Sequence, residues 1–356
     1  MSRPLIARID LAALAHNLGV AKAAAPHAKA LAVIKANGYG HGLTRVARGL
    51  RAADGFAVLA VDEAAQLRGE GYTHPIVLLE GFFHPDELPE IARLRLRPVI
   101  HRQDQAEILA RAHLEHRIDV LLKIDTGMHR LGLRPGRVAE VLATLRGAPH
   151  VGGITLMTHF ACADEAATGV AEQLARFREA SSGQELPCSL ANSAALLRYP
   201  ETHGDWVRPG IMLYGVSPFS GQTGADLGLL PVMTLESRLI AVHRIGKGDA
   251  VGYGATFVAE RDMSIGVVAC GYADGYPRHA GSGTPVLVEG RLTRTLGRVS
   301  MDMLCVDLGP VPHAHVGSPV TLWGADLPAE HVADHAGTIA YELLTALAPR
   351  VRVEEI

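Results

Sequence analysis

The chain has only four cysteines in 356 residues, aromatic residues at 5%, and no block of consecutive basic residues. Each shortage removes a class of protein. Cys162, Cys188, Cys270 and Cys305 lie far apart and form no CxxC pair, so neither a disulfide framework nor a zinc ribbon is encoded and a reducing cytosol is the expected setting. A net charge of −3 without a basic patch offers nothing to nucleic acid or to an anionic membrane surface. No stretch approaches the ~18 uncharged apolar residues of a membrane span, and the opening MSRPLIARIDLAALAHN holds no apolar core of signal-peptide length; a soluble, cytoplasmic protein is expected. His113/His116 and His313/His315 stand without a cysteine or carboxylate cluster, so no metal is assigned. Neither GxGxxG nor GxxxxGKS/T occurs, which removes the common nucleotide-binding signatures.

What is present is apolar material. Hydrophobic residues make up 48% and charged residues 20%, enough for a large core, and the length suggests two domains unless one is an α/β barrel. Through residues 30–215 eight apolar runs, among them ALAVIK, GFAVLAV, PIVLLEG, DVLLKID and VGGITLMTHF, alternate with helical stretches. Residues 62–70 and 135–147 are such stretches, with acid or proline at the start and arginine near the end. Continuous apolar strands are buried on both faces, as in a parallel sheet, and eight without long interruption fit a TIM-type (β/α)8 barrel over residues 9–228. An open doubly wound sheet is the other arrangement. Barrel strands present their C-terminal ends to the active site, and those ends carry Lys35, Asp125 with Arg130 close behind, His159, Asn192–Ser193 and Arg208. Residues 217–228, rich in glycine and polar side chains, read as a linker. Beyond it, β-branched runs broken by glycine and proline predict a mostly β domain over 229–356, with residues 1–8 a candidate addition and one helix at about 331–348.

Lys35 ends an apolar run and precedes ANGYGHG. It reads either as a strand-end lysine in an ion pair or as a Schiff-base amine, which must be deprotonated to react. Gly38, Gly40 and Gly42 let the backbone turn tightly and approach a ligand.

VIKANGYGHG resembles the pyridoxal-phosphate attachment motif of the alanine racemases, fold-type III enzymes with a barrel followed by a β domain. The resemblance continues in order through LKIDTGMHRLG, MTHFACADE, ANSAA, VRPGIMLYG, VGYGATF, GYADGYPR, GRVSMDM and TIAYELLTAL, nearly the whole chain. It implies pyridoxal 5′-phosphate on Lys35 and interconversion of L- and D-alanine, a source of D-alanine for peptidoglycan. A broad-specificity racemase of the same fold type and a non-catalytic cofactor-binding protein are the alternatives; a carrier would have no use for the second domain.

Racemisation removes a proton from one face of the α-carbon and delivers one to the other. Lys35 would serve one face and, by the resemblance, Tyr253 the other, contributed by the partner subunit of a homodimer. A phenol titrates near 10 in model compounds, so a tyrosine base working near neutrality needs roughly 4 kcal/mol of help. The resemblance places Arg130 and His159 beside this chemistry as cationic neighbours, with Arg130 also facing the substrate carboxylate. Arg208 matches an arginine that donates to the cofactor ring nitrogen, which a guanidinium does without giving up its proton. Ser193, the amides of Gly210 and Ile211, and the hydroxyls of Tyr39 and Tyr341 match the phosphate donors. Met301 matches the residue whose amide meets the substrate carboxylate, with Asp302 beside it and Tyr272 lining the entry from the partner. Lys123 matches a lysine that is carbamylated in some members; a surface pairing with Asp125 is the other reading.

Overall fold

Eight of the apolar runs pair edge to edge and in parallel in the computed structural model, which describes residues 3–356. A short strand, β1 (Ile6–Ile9), precedes them and belongs to a different sheet. The barrel consists of β2 (Lys29–Val33), β3 (Gly55–Val58), β4 (Ile76–Leu78), β5 (Leu96–Ile100), β6 (Ile118–Lys123), β7 (Val151–Met157), β8 (Cys188–Ser189) and β9 (Trp206–Val207), and β9 closes on β2. Every residue of β3 and β4 is buried, as strands covered on both faces require. The last two strands are short. In WVRPGIMLYG only Trp206 and Val207 pair, because Pro209 has no N–H to donate and the chain then tightens into a 3-10 turn, Ile211–Tyr214.

The helix Leu11–Ala24 shows how the outer layer attaches. Asp10 caps it, its carboxylate accepting the amides of Ala12 and Ala13 at 2.8 and 3.0 Å. Ala13, Leu14, Asn17, Leu18 and Ala21 face inward at helical spacing. The buried Asn17 is fully used: it donates to the carbonyls of Leu213 and Leu230 and accepts the Leu230 amide. Residues 217–228 are likewise tied down rather than loose, since Glu330 accepts the amides of Ser217 and Gly224 at 2.9 and 2.8 Å.

The remaining strands are β10 (Met233–Ile245), β11 (Ala250–Val251), β12 (Phe257–Val258), β13 (Met263–Val268), β14 (Pro285–Val288), β15 (Arg291–Leu296), β16 (Leu304–Asp307), β17 (Pro319–Trp323) and β18 (Arg352–Glu355). They form one eight-stranded sheet in the order β13-β16-β15-β14-β17-β10-β1-β18, with β11 and β12 as a separate pair. The thirteen-residue β10 also pairs with β13, so the sheet curls back on itself. β1 lies antiparallel to β10 and parallel to β18, which knits both ends of the chain into this sheet. The single helix expected at 331–348 is two, Ala329–Ala336 and Ala340–Thr345, because Gly337 takes a left-handed φ of 68° and ends the first. Among the described residues no helix is long and apolar enough to cross a membrane.

The second of these helices packs on the turn that follows Lys35. A Cβ on Gly40, whose φ is 82°, would stand 2.0 Å from the Leu344 carbonyl oxygen. Gly221 has a similar φ of 72° with nothing within 4 Å. Gly40→Ala should therefore cost about 3 kcal/mol and Gly221→Ala about 1 kcal/mol, the difference being the backbone clash; urea unfolding of the two variants measures it.

Candidate active site

Lys35, Lys123, His159 and Arg208 stand at or just beyond the C-terminal ends of β2, β6, β7 and β9, and Arg130 on the loop after β6, all at one end of the barrel. Lys35, Lys123, Arg130 and Arg208, the four cations of this set, form no ion pair among the described residues. Desolvation first, then the charge of Arg130, lowers the pKa of Lys35, with Glu80 and Glu63 opposing. Lys123 is buried and pushed down to about 8 by desolvation, then by Arg208 and Arg130. It is not a surface partner of Asp125, whose carboxylate instead accepts the amides of Gly127 and His129 and bonds the His129 ring.

Arg208 is fully committed on its two terminal nitrogens. Nη1 donates to the carbonyl and hydroxyl of Ser189 at 2.8 and 2.9 Å; Nη2 donates to the carbonyls of Thr158 and Leu190 at 2.7 and 3.1 Å and to His159 Nδ1 at 3.2 Å. The Nε–H is not among the donors spent on the protein. Burial lowers this guanidinium only to about 10, so it stays charged near neutrality. His159 is then not the cation the resemblance suggested. Desolvation and the charges of Arg208, Lys123, Arg130 and Lys35 hold its pKa well below the ordinary histidine value, and the neutral ring accepts from Arg208.

The segment after Lys35 is a left-handed turn and not a glycine hinge. Ala36, Asn37 and Gly38 have φ/ψ of 53/52°, 53/45° and 62/46°, and Tyr39 has φ 50°, which costs roughly 1–2 kcal/mol at each non-glycine position. Local bonds hold it: the buried His41 ring sits 2.8 Å from the Tyr39 carbonyl and 3.1 Å from that of Gly38, and Asn37 accepts the Leu43 amide. Desolvation pushes His41 down to about 4, so it is neutral. Tyr214 stacks on Tyr39 at 4.5 Å and leans on His41 at 4.8 Å, its hydroxyl donating to the Val33 carbonyl. Sequence reading missed both His41 and Tyr214, although each lies inside a quoted motif; their work is packing behind a ligand-facing ring.

This turn brings Tyr39 over Gly210, where a Cβ would lie 2.8 Å from the tyrosine oxygen. Ser193 Oγ accepts the amides of Gly210 at 2.8 Å and Met212 at 3.4 Å, with Ile211 between them. Tyr341 lies 6.3 Å from Tyr39, ring to ring. The three hydroxyls and the adjoining amides make a cradle of neutral donors.

Tyr272, Met301 and Asp302 form a separate group in the C-terminal domain, where the Tyr272 amide donates to the Ser300 carbonyl and the Ala273 amide to that of Met301. Tyr253 stands apart, in the 3-10 turn Tyr253–Ala255, 70% exposed, with Tyr272, Met301 and Met303 also exposed on this domain. A cavity of about 690 Å³ at the opposite end of the barrel holds none of these residues; its Arg68 is spent on backbone carbonyls and its Arg97 on Asp119.

A parallel eight-stranded barrel followed by an antiparallel-strand domain, with a lysine of lowered pKa and a buried arginine at the barrel mouth, is the arrangement of a class of pyridoxal-phosphate enzymes. Residues 9–218 match the family model described as alanine racemase, N-terminal domain, and residues 232–354 that of the C-terminal domain. The chain belongs to the alanine racemase family, whose members depend on pyridoxal phosphate carried on a lysine. It is 54% identical to an alanine racemase of Nitrosomonas eutropha over 99% of this chain and 98% of that one. It is 52% identical to a catabolic alanine racemase of Klebsiella aerogenes over 99% of each. The crystal structure of the biosynthetic alanine racemase of Pseudomonas aeruginosa superposes with a TM-score of 0.97 at 48% identity over 100% of both chains.

Arg208→Gln should cost about 3 kcal/mol, by leaving buried carbonyls without donors. It should also raise the His159 pKa toward the ordinary range, because the cation nearest that ring is gone. NMR titration of the histidine ring measures the second effect; an unmoved pKa would show that burial alone sets it.

Proposed function

We propose that this chain interconverts L- and D-alanine with pyridoxal 5′-phosphate held on Lys35, and that Lys35 and Tyr253 exchange protons on opposite faces of the substrate α-carbon. The observation that carries the reading is Lys35 itself, an amine of depressed pKa beside Arg130 at the barrel mouth, within a fold whose relatives are named for alanine. Two copies complete each other's sites: Tyr253 projects from the second domain of one protomer to the barrel of its partner. Its high exposure, shared with Tyr272 and Met301, supports this homodimer. The physiological role is supply of D-alanine for peptidoglycan in the cytoplasm, a setting that the four free cysteines suit.

The residues present fit the cofactor. Pyridoxal phosphate, when bound, supplies the electron sink that acidifies the α-hydrogen of an amino acid joined to it. Ser193, the Ile211 amide, the Gly210 amide that also donates to Ser193 Oγ, Tyr39 and Tyr341 would hold the phosphate. Burial pushes Tyr39 up to about 12 and Tyr341 higher still, so both phenols keep their protons and donate. The spare Nε–H of Arg208 would donate to the cofactor ring nitrogen and, since the guanidinium keeps its proton near neutrality, would leave that nitrogen unprotonated. Neutral His159 supports Arg208 from the side. Arg130 and the Met301 amide would orient the alanine carboxylate, with Asp302 beside Met301 and held by Arg350, and Tyr272 would narrow the entry. Lys35 removes or returns the proton on one face and the partner's Tyr253 does so on the other.

Lys123 belongs to the same proposal as a carbamate. Its pKa near 8 leaves a share of free amine at neutral pH, and an anion there would relieve repulsion from Arg208 and Arg130. Since only the free amine takes up CO₂, occupancy should rise as pH increases through 8. Native intact mass should show one added CO₂, lost on acidification; an unmodified mass at pH 9 with bicarbonate would exclude it.

Incubated with L-alanine in D₂O, the holoenzyme should drive optical rotation to zero while deuterium enters the α-carbon. Tyr253→Phe should lose racemisation by at least ~100-fold yet still exchange the α-hydrogen of one enantiomer without inversion. Equal racemisation by Tyr253→Phe would remove Tyr253 from the mechanism.

A further inference from the structure

Asp274 is a carboxylate at 1% exposure with no role in the reading above. Its Oδ1 accepts from Arg3 Nη1 and Arg350 Nε, both at 2.6 Å, and its Oδ2 accepts the Gly271 amide at 2.9 Å. The two arginines continue to the same neighbour. Arg350 Nη2 donates to Asp302 Oδ1 at 2.6 Å, and Arg3 Nη2 to the Asp302 carbonyl at 2.6 Å. Between these contacts the backbones of 272–273 and 300–301 are bonded, and a Cβ on Gly271 would lie 2.3 Å from the Ser300 oxygen and 2.4 Å from that of Met301. The Ala348 amide binds the Asp274 carbonyl at 3.1 Å, so the segment leading to Arg350 is fastened to the same point.

Two arginines and two aspartates cancel in charge, and the guanidinium of Arg350 spans both carboxylates through different nitrogens. A lysine there could meet only one of them. We propose that Arg350, acting through Asp274 and Asp302, is a positioning residue that sets the Met301 amide and the Tyr272 ring for the substrate carboxylate. This rests on the proposed reading in which the Met301 amide meets that carboxylate. Arg3 adds a second strap from the start of the chain. The arrangement fixes an amide in advance, so that binding alanine does not have to order the loop.

The test compares wild type, Arg350→Ala and Arg350→Lys as holoenzymes, by alanine racemisation kinetics and by backbone hydrogen exchange without alanine. Arg350→Ala should raise KM for alanine about tenfold with kcat within about twofold. Exchange should accelerate at residues 271–275 and 300–303, and Arg350→Lys should recover part of both effects. Should Arg350→Ala fail to fold, Arg350→Lys against wild type carries the comparison. A merely structural role would lower the folded fraction, reducing apparent kcat at constant KM, and that result overturns the proposal, as does unchanged exchange at the two loops. If wild type fails to racemise alanine, the functional reading falls, while the exchange data still decide whether Arg350 fixes these loops.

Discussion

Four cations crowd one end of this barrel without an ion pair among them, and the rest of the site follows from that constraint. A positive cluster in a poorly hydrated space is unfavourable, and the protein relieves it by releasing protons where it can. Arg208 cannot do so, and is held by buried carbonyls instead. The lysines and His159 can in part, which is why two amines of lowered pKa and a neutral imidazole lie near Arg208 and Arg130. The same field that lowers the pKa of Lys35 would favour an anionic cofactor and a carboxylate substrate. Reactivity and binding thus arise from one electrostatic imbalance.

The second organising feature is the left-handed turn after Lys35. It places Tyr39 over Gly210 and seats the loop on the helix Ala340–Thr345. An extended or right-handed continuation would carry Tyr39 elsewhere, so the anion cradle depends on a conformation that Ala36 and Asn37 disfavour. The backbone strain is offset by His41, Asn37 and the Tyr214 stack, none of which touches a ligand in the proposed mechanism.

Much of this was legible in the residue order. Eight apolar runs of strand length named the barrel strands, and the motif around Lys35 located the mouth, because buried parallel strands and glycine-bearing loops leave local signatures. What escaped notice depends on neighbours distant in sequence. Nothing local to His159 says that it is neutral; its state is set first by burial and then by Arg208, Lys123, Arg130 and Lys35. Nothing around Asp274 announces two arginines from opposite ends of the chain. Ala36 and Asn37 looked like ordinary residues of a loop, since a left-handed φ at a non-glycine position is a product of its surroundings. Gly337 is the opposite case, a break in a predicted helix that was written in the sequence and passed over.

The place of β1 between β10 and β18 bears on how the molecule is made. Arg8 reaches Glu236 across 228 positions and Glu354 across 346, so β1 meets β18 only after all the residues between them have been made. The barrel strands, all drawn from the interior of the chain, have their partners earlier. The barrel can therefore close while the other sheet still lacks β18. A product lacking β18 would leave β1 with one side unpaired, an exposed edge open to misplaced pairing.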